Sequence, residues 1–229
     1  MESPFGFNEP LTWSGSLARV LERERLDAEH FMPRYDDLAA YLKESNCAPL
    51  AEIATVIRRG RQPRYVADGS VLVINSRHVG KQLLNSEEAE RTDSDFWTRT
   101  PAARCAKGDV LLNSTGVGSI GRANTVFEDR KMVVDNHVTI IRVPSEICDP
   151  AYLAIFLSSR LGMMQTEQWL SGSSGQIELY PASIGKFLIR LPDPEVQAAI
   201  GQRAREAHKA RQQALELIES ARVEVEFSG

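Results

Sequence analysis

Lys107–Val126, KGDVLLNSTGVGSIGRANTV, is the stretch on which the fold turns. Gly116, Gly118 and Gly121 satisfy the G-x-G-x-x-G spacing of a dinucleotide-binding turn. That turn needs a helix directly after the glycines, so that the helix N-terminus faces a pyrophosphate. After Gly121 the chain instead reads Arg122-Ala-Asn-Thr-Val-Phe-Glu, whose β-branched and aromatic residues suit a strand. The spacing therefore predicts a β-hairpin, with the glycines supplying a tight turn that a ligand can approach closely. Asn113, Ser114, Thr115, Ser119 and Arg122 would surround that turn with hydrogen-bonding groups. A nucleotide-dependent enzyme built on Gly116 to Gly121 is a competing reading, and a hairpin at those glycines would count against it.

The same short apolar runs, separated by turn residues, continue on both sides. AEIATVI, SVLVINS, DVLLNS, ANTVFE and KMVVDNHVTIIRV all read as strands. Before them, Ser16 to Lys43 has helical periodicity that Pro33 should divide, and Asn46 to Pro49 breaks the run. After them, Asp149-Pro150 is a good helix start for AYLAIFLSSRLGMMQTEQWL, which SGSSG must end. IELY and KFLIRLP give a further short strand or two, and Pro192 and Pro194 forbid continued sheet pairing. His137, in Asp135-Asn-His, is read as part of a turn feeding VTIIRV rather than as a catalytic group.

From Glu195 to Phe227 there is no proline. Ile200, Ala204, Ala207, Arg211, Ala214, Ile218, Ala221 and Val225 recur at alternating spacings of four and three, the pattern of a helix seam that meets a partner helix. A helix of this kind is expected to project from the body after Pro194. The expected organisation is α+β: a helical segment over 1–45, a β-rich mixed domain with packed helices over 46–192, and a long coiled-coil-like helix over 193–229.

Composition narrows the function classes. A net charge of −4 argues against a protein that coats nucleic acid through overall charge. The distribution is uneven, however. Arg58, Arg59, Arg61, Arg64, Arg77 and Lys81 face only Asp68 between positions 58 and 81, whereas SEEAERTDSD is dominated by acid. Three widely spaced cysteines and four scattered histidines suggest neither a disulfide framework nor a metal site, and a reducing cytoplasm fits best. Nothing resembles a secretory leader or a membrane span. There is no G-x-S-x-G elbow and no Walker lysine motif, so no catalytic residue is assigned and no cofactor is expected.

Several segments together resemble the Type I restriction-modification specificity subunit family. RLDAEHFMPRYDDLAAYL is similar to the family's opening segment, and KGDVLLNSTGVGSIGRANTV to its Gly-rich hairpin. VVDNHVTIIRV, DPAYLAIFLSS, a Gly/Ser break and FLIRLPDPEVQAAI then come in the family's order. The resemblance implies a target-recognition domain that reads half of a split DNA site and a spacer helix that sets the distance between halves. It also implies docking to DNA adenine methyltransferase subunits that bind S-adenosylmethionine, and possibly to a restriction subunit. Family members commonly carry two recognition domains, whereas this chain has room for one and resembles a half-subunit. Two copies joined through the C-terminal helix would restore the full arrangement.

On this reading the candidate DNA contacts are Arg58, Arg59, Arg61, Gln62, Arg64, Asn75, Arg77, His78, Lys81, Arg122, Ser173, Ser174 and Gln176, with only some of them expected to touch DNA. The competing reading from another class is a coiled-coil adaptor whose globular part binds only proteins.

Overall fold

The computed structural model describes residues 12–172 and 176–227. Helices α1 (Leu17–Arg23) and α2 (Pro33–Lys43) are joined through a 3-10 turn at Ala28–Phe31. Pro33 is the first residue of α2, where its missing N–H costs nothing. The chain continues as β1 (Cys47–Pro49), α3 (Leu50–Ile53), β2 (Val56–Arg59), β3 (Val71–Ile74), β4 (Glu90–Thr92), α4 (Ser94–Arg99) and β5 (Arg104–Cys105). Then come β6 (Val110–Asn113), β7 (Ala123–Thr125), β8 (Met132–Val134) and β9 (Val138–Arg142). Helices α5 (Pro150–Ser158), α6 (Arg160–Trp169) and α7 (Pro181–Ile184), strand β10 (Leu188–Arg190) and helix α8 (Pro194–Phe227) complete an α+β fold.

The strands form an antiparallel sheet β2-β9-β6-β7, a mixed sheet β4-β3-β8-β5 in which β3 and β8 are parallel, and a β1-β10 pair. Leu112, Ile141, Leu153, Leu42 and Phe187 pack on one side of the antiparallel sheet, against the helices. Leu111 and Ile140 point the other way, into a second cluster with Leu72, Ile74, Met132 and Val134 of the mixed sheet. The antiparallel sheet is thus buried on both faces, which is why VLLN and VTII are continuous apolar runs rather than alternating ones.

At one edge of this sheet the β6–β7 hairpin pairs Val110 with Thr125 and Leu112 with Ala123. Gly116, Gly118 and Gly121 have φ of 97°, 80° and 85°, a region open to glycine but strained for other residues. Strand β7 stands where a dinucleotide site needs a helix, so the phosphate-cradling reading loses its geometry. The Gly-Asp ahead of the hairpin has a structural role. Asp109, almost wholly buried, accepts bonds from Arg142 Nε (2.6 Å), Arg142 Nη2 (2.8 Å) and Ala106 N (2.8 Å), which ties β6 to β9.

Several expectations are corrected. AEIATVI is not one strand: Leu50 and Ile53 both enter the core from α3, while the Leu50 and Ala51 amides bond Phe187 O and Gly185 O, and strand geometry starts at Val56. The turn expected at Asp135-Asn-His137 is present, with Asp135 Oδ1 accepting the His137 amide (2.9 Å), but the strands on its two sides belong to different sheets. The helix expected after Asp149-Pro150 is two helices, because Ser159 is extended (φ −75°, ψ 170°) and Gly162 lets the returning backbone press on Leu157. IELY forms only isolated bridges, Glu178 with Thr115 and with Ser171. The apparent break at Asn46 to Pro49 holds β1, an edge strand that tolerates proline.

Helix α8 has 34 residues and is about 51 Å long at about 1.5 Å per residue. It does not project from Pro194 as expected. Its first half lies along α5: Gln197 and Gly201 are buried, and Ile200, Ala204 and Ala207 form one wall of a groove of about 640 Å³ opposite Ile155, Ser158 and Leu83. Arg211 ends this contact by donating to Leu84 O (3.2 Å) and Asn85 Oδ1 (2.7 Å). From Gln213 to Phe227 every residue is exposed, so the projecting arm is about four turns.

Candidate nucleic-acid interface

The ends of β2, β6 and β8 and the start of β9 meet at one end of the two sheets. Gly60 makes this possible, because a Cβ there would collide with the Val134 and Asp135 carbonyls. The chain passes from one sheet to the other at this point, with Gly60 N bonded to Val138 O (3.0 Å) and Arg61 N to Val134 O (2.9 Å). Arg61 and Gln62 are left exposed at the junction. The next loop runs along β4: Val66 N bonds Arg91 O (2.8 Å) and Thr92 Oγ1 bonds Arg64 O (2.8 Å), leaving Arg64 and Tyr65 outward.

Beside the loop, Phe96 and Trp97 of α4 cover the outer face of the mixed sheet over Val71, Val73 and Val133. Arg104 stacks on Trp97 (4.9 Å) and donates to Trp97 O and Thr98 O, while Arg58 reaches toward Pro101 O (3.5 Å). None of Arg58, Arg61, Arg64, Arg99 and Arg104 forms an ion pair with another described residue. Across the junction, Thr115 at the root of the Gly hairpin shares a hydrogen bond with His137 Nδ1 (2.7 Å), and both stand next to exposed Asn136. Unpaired cations, an aromatic surface and neutral hydrogen-bonding groups are what phosphate positioning and base reading require.

The sequence-derived cluster divides on this surface. Arg58, Arg61, Gln62 and Arg64 belong to it. Arg59 is turned inward: it pairs with Glu178 (3.4 Å), donates to Leu179 O (3.2 Å) and stacks on Tyr180. Arg77 is engaged by Glu90, which also accepts from Asn75 Nδ2 (3.2 Å) and lies 3.4 Å from His78 Nε2. Asn75 and His78 are 7% and 3% exposed, so they hold a turn together instead of presenting edges to a ligand. Burial, with help from Arg77, holds His78 below the ordinary histidine pKa despite a hydrogen bond and the charge from Glu88. Lys81 lies on the groove beneath α8, away from the other arginines. Arg122 folds back on the hairpin to donate to Gly118 O (2.5 Å). Gln176 is exposed, and Ser173 and Ser174 lie outside the described residues.

Sequence reasoning missed Arg99, Arg104, Trp97 and Asn136. The first three share the short stretch WTRTPAAR, whose mixture of aromatic and basic residues was a usable signal overshadowed by the acidic run before it.

No protein-family model matches the chain, and neither does any curated protein sequence. Solved structures do. The crystal structure of a Type I restriction-modification system S subunit from M. genitalium aligns with a TM-score of 0.54 at 12% identity, over 77% of this chain and 42% of that one. The HsdS subunit from Thermoanaerobacter tengcongensis aligns at 0.50 and 18% identity, over 89% and 49%. The type IIG restriction endonuclease BpuSI aligns at 0.54 and 11% identity, over 82% and 30%. The chain spans less than half the length of these S subunits. Among the described residues no helix is long and apolar enough to cross a membrane. The chain therefore has a fold like that of about half of a Type I restriction-modification S subunit.

Proposed function

We propose that this chain is a sequence-specific DNA-recognition subunit of a Type I-like restriction-modification complex, with residues 46–192 as the recognition domain. One observation carries the reading: on an S-subunit fold, Arg58, Arg61, Arg64, Arg99 and Arg104 gather without carboxylate partners at the end of the sheets where Thr115, Asn136 and His137 are presented. The arginines position the phosphates, and the neutral groups with the Gly hairpin meet base edges. The chain supplies the address, and a DNA adenine methyltransferase subunit, with or without a restriction subunit, supplies the chemistry.

The recognition domain reads half of a split site, and residues 193–229 provide the spacer. Beyond Arg211 the stripe Ala214, Leu217, Ile218, Ala221 and Val225 is exposed among the described residues; Leu217 is 72% and Val225 82% exposed. In an antiparallel pair of α8 helices, this stripe of one copy falls on the groove of the other at Ile200, Ala204 and Ala207. The rim residues Lys81 and Arg203 complement Glu216 and Glu219 on the incoming helix. Two domains at opposite ends of one spacer read a palindrome interrupted by unspecified bases.

Binding to duplex DNA measured against salt tests the interface. Arg58→Ala, Arg61→Ala and Arg64→Ala together should weaken binding to all sequences and flatten the salt dependence by about 0.9 in slope for each phosphate no longer neutralised. Unchanged binding at low salt would place the DNA face elsewhere. If the purified chain, alone or with its methyltransferase, retained no duplex at all, the coiled-coil adaptor reading would replace this one.

A further inference from the structure

We infer that Asp149 and Arg205 are positioning residues that fix the direction in which α8 leaves the body, and with it the gap permitted between the two halves of a split target. The gap part rests on the split-site reading above, whereas the direction of the arm does not. Asp149 caps α5, its Oδ1 accepting from Ala151 N (2.8 Å) and Tyr152 N (3.2 Å). The same carboxylate receives both guanidinium nitrogens of Arg205, at 3.2 and 2.9 Å. It lies directly on the backbone of α8, where a Cβ on Gly201 would come within 2.6 Å of Oδ1. Gln197 closes the joint, accepting from Asp149 N (3.1 Å) and donating to Pro192 O (2.8 Å).

The next polar anchor along α8 is Arg211, on Leu84 and Asn85; before it His208 meets the Phe127 ring, and the groove wall of Ile200, Ala204 and Ala207 runs past Arg205. The two polar anchors stand about 9 Å apart along the helix at about 1.5 Å per residue, and the Asp149–Arg205 joint is the one at the root of the arm. From Arg205 to Phe227 the lever is about 33 Å. A swing of about ten degrees moves its tip about 6 Å, close to two base-pair steps of about 3.4 Å. Loosening this joint changes which gap can be spanned without touching any DNA-contacting residue.

Arg205→Ala removes the pairing and leaves the α5 cap intact; Gly201→Ala keeps the helix and wedges the joint open. Paired nitroxides on Lys107→Cys and Ser220→Cys, in a Cys47→Ser background, read the direction by electron-electron distance. One narrow distribution is expected for the parent, a broad one for Arg205→Ala, a displaced maximum for Gly201→Ala and a return toward the parent for Arg205→Lys. Unlabelled proteins are then used to select from a randomised duplex pool in complex with their methyltransferase. The parent should enrich two half-sites at one gap, and Arg205→Ala the same half-sites at several gaps. Unchanged distances in both variants would overturn the inference. So would altered distances with an unchanged gap, a result that leaves the split-site reading standing. A parent that enriches no half-site would remove that reading, and the gap assignment with it, even where the distances move.

Discussion

The two halves of α8 share one helical pattern and have opposite surroundings. Up to Gln212 the helix is held against the body by Asp149, by the groove wall and by the Leu84–Glu87 loop; from Gln213 to Phe227 every residue is exposed. An apolar stripe in a sequence shows that a face will be covered, but not by what. The first half of this stripe is docked on the body beside an open groove, and the second half is exposed along its whole length.

Charging each half separately should have the clearest effect. Ile218→Glu is expected to abolish self-association completely in sedimentation velocity while leaving the body folded, because Ile218 is exposed on the tip of the helix. Ala214→Glu should behave the same way. Either variant sedimenting as the parent does would remove the pairing model. Ile200→Glu should act in the opposite sense. It places a charge against Ile155 and Ala123 and should cost about 2 to 3 kcal/mol of unfolding free energy, within the range for an unpaired charge in a partly buried site. Urea denaturation measures it, and a change near zero would mean that the docked half is not docked.

Acidification sharpens the contrast more gently. His78 lies beneath the second anchor: Asn85 N bonds His78 O (2.8 Å), and Asn85 in turn receives Arg211. Burial, first among the causes, holds the His78 pKa below the ordinary 6.5, so the opened loop binds a proton more readily than the closed one. The contribution of this turn to stability is complete above pH 6.5 and declines as pH falls through the folded-state value. His30 behaves alike, held below 6.5 chiefly by burial against Trp169 and Phe31 and further by Arg25 and Arg23. Hydrogen-exchange protection, taken relative to the intrinsic rate at each pH, should fall at residues 82–87 and in the docked half of α8 on going from pH 7 to pH 5, with that of Gln213–Phe227 unaffected. An equal loss of protection in both halves would detach the anchor from His78.

The hairpin was legible because glycine spacing and the β-branched run after it exclude the alternative, and the Pro33 and Asp149-Pro150 helix starts were legible from local stereochemistry. The interface was legible only in part. Arg61 and Arg64 lie in the basic run that the sequence displays, whereas Arg99 and Arg104 reach the same surface through the packing of α4 and the β5–β8 pairing, contacts between residues far apart in the chain. Asn75 and His78 looked like surface readers because polarity is visible in a sequence and burial is not; Glu90, thirteen residues from Arg77, decided their fate. The break at Ser159 was hidden for a similar reason, since only the docking of Gly162 on Leu157 makes one helical run into two.

In the proposed function the sheet-end surface of this chain selects a DNA sequence for a methyltransferase. The most direct test is to sequence methylated sites genome-wide in cells carrying the chain with the methyltransferase that co-purifies with it, beside cells carrying the Arg58→Ala, Arg61→Ala, Arg64→Ala variant. The account predicts adenine methylation at one interrupted palindrome in the first cells and its loss in the second. Methylation with no sequence in common, or the same motif at undiminished occupancy in the variant, would contradict it.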